Sequence, residues 1–78
     1  MEKVYVVMVY DLFEGCFPLG VYPTQDMAMA SIENSASEYE THITEKTVHP
    51  WSTVRDTITV YAEEDKPYWE IVPTDFIH

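Results

Sequence analysis

The run Lys3-Val-Tyr-Val-Val-Met-Val-Tyr10 constrains the fold more than any other segment of this chain. Four valines and two tyrosines in eight residues suit a pleated strand far better than a helix. Apolar side chains fall on both faces of the run, the pattern of a central strand covered on each side. Whatever the chain builds has to surround this strand. Asp11 to Cys16 then supplies a turn, with Gly15 at its positive-φ position. Phe17 to Tyr22 reads as the returning strand of an antiparallel hairpin. Pro18 has no N–H to give, so this second strand belongs at an edge or is irregular.

A helix follows. Pro23-Thr24-Gln25-Asp26 places Thr24 as N-cap and Asp26 in the first turn, where the helix dipole favours an acid. Met27 stands where the Glu of a capping box would be. Ala28, Ile32, Ser35, Ala36 and Tyr39 share one face at 3.6-residue spacing, so that face is expected on the sheet and the helix to run from about Gln25 to Glu40. Residues 41–53 lean towards β composition but lack punctuation, and Trp51 in His49-Pro50-Trp51-Ser52 is a candidate for the core. Val54 to Ala62 reads as a clear strand, with Ile58 and Val60 opposite Thr57, Thr59 and Tyr61. An acidic turn, Ala62 to Lys66, leads into Pro67 to Val72, where Trp69 and Ile71 face away from Tyr68 and Glu70. Pro73 to His78 reads as a tail.

The expected fold is therefore α+β. It is a single domain over residues 1–78, with an antiparallel sheet of about four strands (β-β-α-β-β) and one helix on one face. No repeat, linker or low-complexity segment interrupts it. At 78 residues the domain buries only about 60% of the surface its unfolded chain exposes, so large aromatics matter for its stability. Tyr5, Tyr10, Trp51 and Trp69 are the aromatic core candidates. Tyr10, Phe13, Tyr61, Tyr68 and Phe76 exceed what one helix can cover, and aromatics left outside favour a protein-binding face.

Catalytic chemistry finds little to work with. Cys16 is the single cysteine, which excludes an internal disulfide and fits a reducing compartment. Met1-Glu2-Lys3 lacks the basic start of a signal peptide, and no run of 18 apolar residues exists, so a cytoplasmic protein is expected, in the host cell if phage-encoded. His42 and His49 stand seven residues apart, and Cys16 and His78 are isolated, whereas structural zinc needs four ligands in short paired spacings. No neighbour in sequence activates Cys16, which reads as a small packing residue. Gly15 and Gly20 are the only glycines, so no phosphate-cradling loop is available. The expectation is no catalytic residue, no metal and no cofactor.

Charge is the remaining signal. Fourteen Asp and Glu oppose four Lys and Arg, a formal net charge of -10. That charge opposes direct contact with nucleic acid and with anionic membranes. Uncompensated like charge costs stability, and steered encounter with a basic partner is one gain that offsets the cost. Asp26, Glu33 and Glu40 recur every seven residues on the outer helix face, with Glu38 on its flank. Glu63, Glu64 and Asp65 occupy the second hairpin turn, and Asp11 and Glu14 the first. The helix acids step about 10.5 Å, wider than the phosphates along one DNA strand, so imitation of a phosphate backbone would need the hairpin acids too. The site expected for a basic protein partner is Asp26, Glu33, Glu40, Glu63, Glu64 and Asp65. The competing reading is that the acids only keep the domain soluble.

The segment Leu19-Gly20-Val21-Tyr22-Pro23-Thr24-Gln25-Asp26-Met27-Ala28, following the Lys3–Tyr10 strand, resembles a strand–cap–helix unit of many small bacterial and phage proteins. In size, charge and lack of an active-site motif the chain also resembles phage anti-defence proteins. Anti-CRISPR and anti-restriction inhibitors of that kind include acidic DNA mimics. The resemblance implies a non-enzymatic inhibitor whose partner is a basic nucleic-acid-binding protein such as a CRISPR effector or a restriction enzyme; it carries over no site residues. Two other classes stay open. One is a self-associating module, such as a homodimer joined through a strand edge or the aromatic face. The other is a small-ligand binder using Cys16 or the histidines.

Overall fold

The first hairpin forms as its turn chemistry dictates. In the computed structural model, which describes residues 2–49, 57–64 and 66–76, β1 (Glu2–Asp11) pairs antiparallel with β2 (Gly15–Tyr22). The Asp11 carboxylate accepts the backbone N–H groups of Phe13 (2.8 Å) and Glu14 (3.4 Å), and Gly15 takes φ 86° to turn the chain back. β2 is an edge strand, as Pro18 requires. Its register shifts opposite Val7 and Met8, where Gly20 and Pro18 are the paired residues and Leu19 is the extra one. Gly20 has a different role from Gly15. A Cβ there would lie 2.8 Å from the Tyr22 hydroxyl, so its bare backbone admits the Tyr22 ring. That hydroxyl shares a 2.7 Å hydrogen bond with Ser31 and ties β2 to the helix.

Helix α1 (Gln25–Glu38) starts as its cap predicts, with Thr24 Oγ1 accepting the Met27 N–H at 3.2 Å. Ala28, Ile32, Ser35 and Ala36 are buried and Tyr39 is half-buried, the face expected from spacing. The helix ends at Glu38, not Glu40, because the chain enters a Schellman turn. Glu40 adopts φ 58°, its N–H donates to Ser37 O, and the Thr41 N–H donates to Ala36 O.

From there the chain reaches the far edge of the sheet. β3 (Ile43–His49), β4 (Thr57–Ala62) and β5 (Tyr68–Phe76) complete an all-antiparallel sheet in the order β2-β1-β5-β4-β3. The sheet thus has five strands rather than four. The fifth is β3, whose alternation is blurred by a register shift between Ile43 and Glu45 and whose side chains are mostly exposed at an edge. Two further expectations need correction. Pro73 to Phe76 is strand, paired with Glu2 to Tyr5, rather than tail. Pro73 lies beyond the described β4–β5 pairs, which run from Ile58↔Ile71 to Val60↔Trp69, so none of these pairs needs its N–H. Cys16 is exposed on the edge strand and does not pack. Trp51, His78 and the 54–56 portion of the expected fourth strand lie outside the described residues.

The core lies between α1 and the sheet. Val7 and Val9 of β1, Trp69 and Ile71 of β5, and Ile58 and Val60 of β4 meet Ala28, Ile32 and Ala36. Trp69 is fully buried; its indole N–H donates to Ser35 Oγ at 3.2 Å, and the Tyr39 ring meets it edge-on at 6.4 Å. The helix packs on β1, β2 and β5 and leaves the opposite sheet face without a covering element among the described residues. β1 is therefore an interior strand, as its composition predicts, and among the described residues an element covers only its helix side. Val4, Val6, Met8 and Tyr10 stay half-buried on the open side.

Candidate functional site

Strand direction decides where the acids go. β1 ends, β2 begins, α1 ends, β3 begins, and β4 turns into β5 all at the same end of the molecule, as the Asp11↔Gly15, Tyr10↔Tyr68 and Ile43↔Ala62 pairs show. That pole collects Asp11 and Glu14 from the first turn, Glu38 and Glu40 from the helix exit, and Glu63 and Glu64 from the β4–β5 turn. The C-terminus of α1 points the same way and adds the negative end of its dipole, roughly half a charge. Lys66 is the only described cation there, and its Nζ donates to Tyr39 O at 3.2 Å, closing the helix end. The field registers on Tyr39. Its hydroxyl pKa is raised first by burial and then by the Asp11 and Glu14 carboxylates.

The six acids expected at the site are not one surface. Glu63 is fixed by Thr41 Oγ1 at 3.0 Å and by His42 Nδ1 at 3.2 Å, an ion pair when the histidine is protonated. Glu33 is exposed and lines a shallow cleft with His42 and Ile43, which brings it beside Glu63 through the 41–43 segment. Asp26 is exposed at the opposite end of the helix, in its first turn. Glu40 is exposed but has left the helix, so the expected seven-residue row stops at Glu33. Glu64 is exposed at the pole, and Asp65 lies outside the described residues. Asp11, Glu14 and Glu38 belong at the pole and were not among the expected site residues. Asp11 and Glu14 were legible as turn acids, but nothing local says that both hairpin turns share an end with the helix C-terminus.

Glu40→Gly should stabilise the domain by about 0.5–1 kcal/mol, since glycine removes the cost of a left-handed side chain while adding some unfolded-state entropy. Urea denaturation measures this, and a loss of stability would contradict the turn geometry.

Beside the pole, the open sheet face carries a row of tyrosines. Tyr10 on β1 and Tyr68 on β5 stack with centroids 4.8 Å apart and planes 9° apart, and Tyr61 on β4 tilts against Tyr68 at 5.8 Å. Tyr10 donates its hydroxyl to Glu70 Oε1 at 3.2 Å. Burial first, then the negative charge of Glu70 and the neighbouring Cys16 side chain, push the Tyr10 hydroxyl up to about 12. The folded form thus holds this proton more tightly than the unfolded chain, whose tyrosine titrates near 10.0. Its stabilisation is complete below that pH and is lost as pH rises from there towards 12. Tyr10→Phe should lose stability more gradually than the parent chain across this alkaline window, as read by urea unfolding at stepped pH. Identical profiles would contradict the Tyr10–Glu70 contact.

Chemistry in pockets has little volume. The three clefts described measure about 230, 270 and 310 Å³ and are open and shallow. Pockets that enclose drug-sized ligands run from about 300 to 1,000 Å³. Among the described residues no group of three or more His, Cys, Asp or Glu is placed to hold a metal ion. None of their helices is long and apolar enough to cross a membrane. No protein-family model matches the sequence, and neither curated proteins nor solved structures include a significant match.

Proposed function

We propose that this protein is a non-enzymatic acidic inhibitor that binds the cationic, nucleic-acid-handling surface of a host defence enzyme, a CRISPR effector or a restriction endonuclease. The observation that carries this reading is the convergence of two turns and a helix C-terminus on one end, putting six described carboxylates around one already engaged lysine. Like charge gathered in this way costs folding stability, and a basic partner removes that cost on binding. A solubilising coat would be served equally well by dispersed acids. Phosphate-binding clefts are the densest cationic surfaces such a pole can meet, and a decoy there needs charge but no active site. Glu63 and Glu64, with Glu33, Glu38 and Glu14 around them, are the contacts on this reading. Asp26 is too far along the helix to join them, standing about 18 Å of helical rise from Glu38.

The test is inhibition of DNA cleavage by purified effectors of both classes as salt rises. The expected result is competition with DNA that weakens steeply with ionic strength. Cleavage unaffected at low salt across the panel would overturn the reading. A self-associating module would instead show mass growing with concentration in sedimentation, without any effect on cleavage.

A further inference from the structure

The open sheet face is the part of the molecule that neither the core nor the acidic pole explains. Across it runs a single row formed by register. Glu45 on β3 pairs with Tyr61, Tyr61 packs on Tyr68, and Tyr68 pairs with Tyr10. The next row holds Thr59, Glu70 and Met8 side by side. Tyr61 and Tyr68 are 38% and 36% exposed, high for rings in mid-sheet. One face of Tyr61 meets Tyr68; its other side turns to the β3 edge, where Glu45 is exposed directly across the ladder, with Cβ atoms about 5 Å apart.

Among the described side chains the charges on this face have one sign: Glu45 and Glu70 are the acids, and the cations lie elsewhere. Lys3 and Lys46 alternate to the helix side, and Lys66 is engaged at the helix end. Among the described side chains on the strands of this face, His49 and Cys16 are the titratable groups besides these acids and the tyrosines, and the His49 Nε2 is bonded to the Thr59 hydroxyl at 2.8 Å. A second copy of the chain fits poorly here, because a two-fold contact would set Glu45 and Glu70 against the same acids. A neutral apolar partner would bury both carboxylates with their charge uncompensated, although Glu70 already accepts the Tyr10 hydroxyl. A planar cation answers both demands. A guanidinium stacks on a tyrosine ring and pairs in bidentate fashion with a neighbouring carboxylate, which an ammonium cannot do.

We propose that the tyrosine row, with Glu45 and Glu70 at its sides, docks an arginine-bearing segment of the partner protein, discriminating arginine from lysine. This rests on the basic-partner reading and adds a division of labour: the pole attracts any positive charge, and the tyrosine row selects the guanidinium.

Nona-arginine and nona-lysine peptides, titrated separately by calorimetry, are the probes. The parent protein should bind the arginine peptide at least about tenfold more tightly. Tyr68→Ala with Tyr61→Ala should bring that ratio close to one. Glu38→Lys with Glu64→Lys should weaken both peptides alike and preserve the ratio. A parent ratio near one, or a ratio unchanged in the tyrosine variant, overturns the proposal while leaving the pole reading standing if both peptides still bind in a salt-dependent manner. Failure of both peptides to bind at low salt overturns the pole reading as well. Should the double alanine variant not fold, Tyr61→Leu alone and ring-proton shifts of Tyr61 and Tyr68 in the unmodified protein decide it. Those rings should shift with nona-arginine and stay still with nona-lysine. Sedimentation that shows a dimer dispersed by Tyr68→Ala would assign the face to a second copy and also overturn the proposal.

Discussion

Trp69→Ala should destabilise the domain severely. The indole is fully buried at the centre of the sheet, on β5 between β1 and β4, and it is the largest side chain of the core. Truncation of a buried tryptophan costs about 3–5 kcal/mol in lost transfer energy and cavity. A domain of this size has a total of roughly 4–12 kcal/mol to lose. The substitution also strips Ser35 of its partner on the buried helix face and removes the ring against which Tyr39 packs, so the helix end loosens with the sheet. Urea denaturation followed by far-UV circular dichroism should show the midpoint fall by the equivalent of about 3–5 kcal/mol. A loss below about 1 kcal/mol would contradict the placement of Trp69.

Reversal of the pole should affect binding as strongly as Trp69→Ala affects folding. Glu38→Lys with Glu64→Lys changes the local charge by four at two exposed positions. Glu63 is left in place because Thr41 and His42 hold it as part of the structure. About tenfold in affinity per reversed contact, the equivalent of about 1.4 kcal/mol each, gives roughly a 100-fold loss for the pair. Stability should hold or rise slightly, since the self-repulsion of the pole is relieved. A matched reversal at Asp26, at the other end of α1, should leave affinity within about twofold at moderate salt, where charges beyond a Debye length of roughly 10 Å are screened.

Much of the fold was legible because local chemistry encodes it. Asp11 and Gly15 specify the first turn, Pro18 specifies an edge, and Thr24 starts the helix where it does start. The buried face of α1 follows from the spacing of Ala28, Ile32, Ser35 and Ala36. The errors lie where tertiary context decides. Glu40 looks like another helical turn, because a left-handed exit normally announces itself with glycine. β3 leans towards β composition but is left undecided by the sequence, because an exposed edge strand with a register shift keeps little alternation. The both-sided apolar pattern of β1 reads as a strand covered twice, and among the described residues the helix covers one of those sides.

The candidate site was legible in kind but not in place. Net charge and the surplus of tyrosines are sequence properties, and both point to a protein surface. Their grouping depends on which chain ends share a pole. That follows from the strand order, in which β5 inserts between β1 and β4, and no short-range signal encodes it. Asp11, Glu14 and Glu38 join the site for this reason, and Asp26 leaves it.

The most direct measurement of the central claim is a binding isotherm of the parent protein and of the Glu38→Lys, Glu64→Lys variant against purified CRISPR effectors and restriction endonucleases, with and without their DNA. It should be run at about 50 and 200 mM salt, a range over which phosphate-like contacts weaken strongly. The account predicts at least one enzyme bound by the parent, released by DNA and by salt, and bound about 100-fold more weakly by the variant. Equal affinities for parent and variant, or no enzyme bound at the lower salt, would contradict it.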